Sequence, residues 1–163
     1  MRRLLRAAHL GGLLLLGGGL LAAGLATGAA DTAEPRALAV LAHTAYGALL
    51  KLALPGLMLL IATGVAQMFM LRLTPDRSRW IAVKLSLVAV LAGDLILFRM
   101  PAGRELVVVS ARVAEGLSVR TPPEDLLGRL AVSGWLDLSL ILAVVALSAI
   151  RPAFRLAPRQ GVE

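Results

Sequence analysis

Six polar side chains sit inside long apolar runs of this chain, and they are of types that carry protons, ions or metal-bound groups. They are His9, Lys51, Gln67, Lys84, Asp94 and Asp137. An ionisable side chain in hydrocarbon costs about 2.5–3.5 kcal/mol on insertion scales, so each needs a reason. Counting from the nearest arginine, His9 is three residues from Arg6, Gln67 five from Arg72 and Lys84 five from Arg79. At about 1.5 Å per helical residue, these three lie about 5–8 Å into an apolar layer from one side. Asp94 is 15 residues beyond Arg79 and Asp137 is 14 before Arg151, so both sit near ~21–22 Å. Lys51 falls about 31 Å from the same surface, with a long stem that reaches back toward them. The counts predict an inner layer (His9, Gln67, Lys84) and an outer layer (Lys51, Asp94, Asp137). Such layers suit a proton or ion relay, or a cofactor site in a bundle core. The architectural alternative has Lys84 reaching the headgroups, His9 at the interface, and Lys51 locking helix packing through an aspartate.

Other chemistries are bounded by what the chain lacks. With no cysteine, it has no disulfide, thiolate site, thiol catalysis or covalent haem attachment. No phosphate-binding loop, HExxH or GxSxG motif occurs. A b-type haem needs an axial ligand, usually His, and the only candidates are His9 and His43, which fall toward opposite sides. Met1, Met58, Met68, Met70 and Met100 are of the type that binds Cu(I), although Met58, Met68 and Met70 also suit packing.

The elements that must position these groups follow from composition. Of 163 residues, 58% are hydrophobic and only 17% charged, against about a quarter charged in soluble domains. Uncharged runs of about 20 residues are the length of a membrane-spanning helix. The fold expected is all-α, a single membrane domain over 1–163, with spans near 7–29, 52–71, 80–98 and 130–150. The first run follows a basic start and ends in small residues, as a signal peptide does, but its length favours a retained helix. Gly24 and Gly28 stand at the spacing of close helix approach. Residues 37–50 are expected as an extension outside the second span, with a kink at Pro55-Gly56. Pro101 follows the third span. Leu106, Val109 and Val113 make 104–116, in the 100–120 loop, an amphipathic helix lying on the membrane or on the bundle. Thr121-Pro122-Pro123-Glu124 predicts a capping box opening a helix over 122–129 that runs into the fourth span.

Orientation comes from the arginines. Arg2, Arg3 and Arg6, then Arg72, Arg77 and Arg79, then Arg151, Arg155 and Arg159 each abut an apolar run, and the acids on that side are Asp76 and Glu163. The opposite loops, 31–36 and 99–129, hold six basic and six acidic residues. This predicts an up-down-up-down bundle, multi-pass in a bacterial inner (plasma) membrane, with both termini cytoplasmic. The net charge of +7 is thereby assigned to orientation and not to nucleic acid.

Several short motifs carry a resemblance across nearly the whole chain. They are Arg6-Ala7-Ala8-His9-Leu10, Pro55-Gly56 leading to Thr63-Gly64, Trp80-Ile81-Ala82-Val83-Lys84, and Thr121-Pro122-Pro123-Glu124 with Trp135. This layout resembles small four-helix integral membrane proteins related to the copper-resistance D (CopD) domain and to HemJ. The resemblance implies His9 as a haem-binding residue and Lys84 as a residue of activity. Where HemJ-like proteins carry a third-helix His, this chain has Asp94-Leu95. Two functions are therefore expected. The first is a non-catalytic accessory or assembly subunit, whose partners are lipid and other membrane subunits. The second is a haem- or metal-dependent protein of the HemJ/CopD kind, with haem b and porphyrin oxidation or copper handling.

Overall fold

The computed structural model describes residues 2–71 and 79–149. Met1, Arg72, Asp76, Arg77, Arg151, Arg155, Arg159 and Glu163 lie outside these residues. Every described element is helical: α1 (Arg2–Ala30), α2 (Pro35–Ala48), α3 (Leu54–Leu71), α4 (Arg79–Gly93), α5 (Met100–Ala114) and α6 (Pro123–Ala149). Two π-helical turns, Leu49–Ala53 and Asp94–Arg99, join α2 to α3 and α4 to α5. Four helical stretches are long and apolar enough to cross a membrane: Arg3–Ala30, Pro35–Met70, Ile81–Ala114 and Pro123–Leu147. Leu4, Leu14, Leu21, Phe69, Val132 and Leu142 are exposed, an apolar exterior suited to lipid.

The prolines explain the π turns. Proline has no N–H, and its ring meets the carbonyl four residues back. Just before Pro55, the Leu54 N–H bonds the Leu49 carbonyl; just before Pro101, the Met100 N–H bonds the Leu95 carbonyl. Each bond reaches five residues back and widens the turn, which makes room for the ring. The helix therefore runs on through both prolines. This differs from the sequence reading, which stopped the third span at 98 and set 104–116 apart.

Helices of 36 and 34 residues extend about 50 Å, well beyond a ~30 Å hydrocarbon core. The excess builds a second core. Leu38 and Ala42 of α2, Leu106 and Val109 of α5, and Leu126, Leu127 and Leu130 of α6 bury one another there. The apolar stripe of α5 thus packs on its neighbours within the bundle. Its end is closed by Gly116, whose φ of 73° permits the left-handed residue of a Schellman cap. The Gly116 N–H bonds Val113 O and the Leu117 N–H bonds Arg112 O. The start of α6 differs from expectation. The helix begins at Pro123, and the Thr121 hydroxyl donates to Glu105 Oε1 at 3.3 Å instead of capping.

The first core lies between α1, α3 and the two π turns, centred on Leu16, Leu20, Leu49, Ala53, Leu57 and Leu95. Glycine sets its closest approach. A Cβ on Gly12 would stand 2.9 Å from the Leu60 nitrogen, and one on Gly19 2.5 Å from the Ala53 nitrogen. Gly56 meets the Leu16 nitrogen in the same way. Backbone thus packs on backbone, as small residues permit in apolar surroundings. Gly24 and Gly28, the pair favoured by spacing, face open space instead.

Candidate functional site

Two polar clusters occupy the bundle. The first is built on α1 and α3. His9 Nδ1 lies 2.8 Å from Thr63 Oγ1, and Thr63 donates to the Leu59 carbonyl at 2.7 Å. A hydroxyl has one proton, so with it on Leu59 the oxygen accepts from His9 Nδ1–H. The neutral imidazole then keeps its Nε2 lone pair. Gly64 leaves the ring room, since a Cβ there would stand 3.6 Å from His9 Cε1. Lys84 of α4 lies within electrostatic reach of His9. Gln67 is one turn beyond Thr63, and its buried Nε2 has no protein partner.

The second cluster joins the π turn of residues 94–99 to α6. Arg99, 2% exposed, donates from Nη1 to Asp137 Oδ2 at 2.7 Å, and Asp137 is fully buried. Ser133 Oγ donates to Asp94 Oδ2 at 2.5 Å. Asp94 lies close enough to Asp137 to interact with it. Asp137 is thus paired with the guanidinium, and Asp94, held by Ser133, stands beside that pair. The π turn places both Asp94 and Arg99 toward α6, and an i+5 spacing suits its wider pitch. The Arg99 side chain leans back toward the N-terminal side of its helix, as helical side chains do, and so reaches Asp137.

Arg99 takes the role expected of Lys51. Lys51 lies on an exposed face of the first π turn, and the ion pair recorded among the described residues does not include it. A helix ending at Phe98 would leave Arg99 in a loop, whereas the helix that continues past Pro101 buries it. Thr63, Arg99 and Ser133 were not singled out from sequence as site residues. Serine and threonine hide well in apolar runs because they bond their own helix's carbonyls.

Cofactor chemistry can be weighed against these positions. His43 is exposed on α2, 20 residues from Thr63, or about 30 Å along the helix, so the two histidines do not face one haem. His9 Nε2 is a single potential axial ligand. Among the described residues no three His, Asp or Glu side chains gather to hold a metal. Met58 and Met70 are exposed and Met100 packs on the first core, so these methionines form no common site. Comparison with family models, curated proteins and solved structures gives no match.

Proposed function

We propose that this chain is a non-catalytic accessory or assembly subunit of a larger complex in a bacterial inner membrane. It crosses four times, up-down-up-down, with both termini cytoplasmic, as the arginine clusters favour. The observation that carries the subunit reading is an imbalance of burial. The apolar windows of the first two spans are 39% and 33% buried within the chain, those of the third and fourth only 17% and 11%. Half of the bundle thus leaves its helices almost bare, a surface that suits neighbouring membrane helices. Solubilised from its native membrane in mild detergent, the protein should migrate with other subunits at a mass well above 17.0 kDa plus detergent. Migration solely as a free monomer contradicts the proposal.

A second reading is a haem-binding protein of the HemJ kind, with His9 as ligand and Lys84 beside it. The observation favouring it is the His9–Thr63 bond, which frees Nε2 for an axial position. Protein expressed with ample haem should then show a Soret band that His9→Ala removes. Lack of the band in the unaltered chain contradicts this reading.

A further inference from the structure

We infer that the slot between α1 and α6 is a binding site for a neutral, chain-bearing carbonyl compound of the isoprenoid-quinone class, held by Arg99. The half-open slot holds about 610 Å³ and runs from Gly17 along α1 to Asp31 just past its end, and from Leu127 to Ile141 on α6. That volume lies within the ~300–1,000 Å³ of small-molecule sites.

The walls are mostly apolar: the Thr27 hydroxyl is spent on its own helix's carbonyls, Asp31 stands at one end, and Arg99 is the cation within. Gly17, Gly24, Gly28 and Gly128 line the slot, and a Cβ on any of them would meet nothing within 4 Å. Glycine at these places therefore serves no packing within the chain; it keeps the slot open. Arg99 also lines the slot, beneath Gly134, whose Cβ would stand 3.5 Å from Nη2. Of the five guanidinium N–H groups, Asp137 engages one on Nη1; Nη2, which faces the slot beside Gly134, bonds no protein acceptor, while the Nε–H and Asp137 Oδ1, also without partners, are buried away from it. An unmet donor in apolar surroundings calls for an acceptor.

Charge and depth narrow the ligand. Asp137 already balances Arg99, and Asp94 stands beside it, so an added anion would leave excess negative charge in a low dielectric. The acceptor must be neutral, such as a carbonyl. Gly134 lies midway between Leu127 and Ile141, about 10 Å from either end of the slot. A glycerolipid's charged headgroup holds its ester carbonyls near the polar end, by Asp31. A quinone ring has no charge and sinks to the level of Arg99, with its isoprenoid chain along the glycine wall.

The test uses the full chain carrying Trp80→Phe, which leaves Trp135, a wall residue, as its one tryptophan. In phosphatidylcholine nanodiscs, ubiquinone with two isoprene units should quench Trp135 saturably. Gly24→Leu and Gly28→Leu, whose Cβ atoms meet nothing within 4 Å and whose branches enter the slot, should each raise the half-saturating concentration at least about tenfold. Arg99→Leu combined with Asp137→Leu removes the donor without stranding a charge and should weaken binding by about tenfold. On the unaltered slot, excess methyl oleate should leave the quenching in place. Linear, unsaturable quenching of the unaltered slot means partition into lipid alone and overturns the inference. Displacement by methyl oleate assigns the slot to acyl chains and overturns the quinone assignment.

Discussion

Arg99 and Asp137 are the residues on which the interior of the bundle most depends. Each is almost wholly buried, and each balances the other. Arg99→Leu alone should lower stability in detergent by about 3–5 kcal/mol, because it strands a carboxylate. Arg99→Leu with Asp137→Leu should return most of that loss, since an apolar pair of similar bulk often replaces a buried ion pair at no cost. Thermal or denaturant unfolding of the variants reads both outcomes. The same measurement separates Arg99 from Lys51: Lys51→Leu should stay within about 0.5 kcal/mol of the parent, as changes away from buried networks do. Asp94→Asn should be tolerated as well, since its amide oxygen still accepts from Ser133. The meeting of Asp94 and Asp137 was legible in the sequence, because both stand equally far from the arginines that flank their spans. The arginine that pairs with Asp137 was not, because Pro101 made Arg99 look like a loop residue.

At the scale of the helix, glycine position decides what packs and what stays open. Gly19→Leu drives a side chain into the Ala53 backbone and should destabilise by about 1–3 kcal/mol or more, as overpacking does. Gly24→Leu, five residues along the same helix, should leave the melting temperature unchanged. Near-equal melting of the two variants contradicts the packing described for α1 on α3. Sequence spacing pointed to Gly24 and Gly28 instead, since periodicity reveals which glycines share a face but not which neighbour that face meets. The π turns were equally hidden. An extra residue per turn leaves hydropathy unaltered, and its cause, a proline just beyond, is also the commonest sign that a helix stops. The helical nature of 104–116 and its buried stripe were legible, because Leu106 and Val109 repeat at helical spacing above a polar background.

At the scale of the molecule, four long apolar helices follow from composition alone, and the structure adds how unequally they are buried. The well-buried half, α1 with α2 and α3, holds the His9–Thr63 pair; the sparsely buried half holds Arg99 and the aspartates. Burial by a partner is beyond what hydropathy can reveal, because lipid-facing and subunit-facing surfaces are both apolar. A bundle of four crossings, proposed with both ends on the cytoplasmic side, is directly testable because the chain lacks cysteine. Single substitutions Ser118→Cys, in the connection before α6, and Gln160→Cys, near the C-terminus, are exposed in intact cells to a membrane-impermeant maleimide. Position 118 should be labelled from outside, and position 160 only after the membrane is opened. Labelling at 160 in intact cells, with 118 protected until permeabilisation, contradicts the orientation; labelling of both from the same side contradicts the fourth crossing.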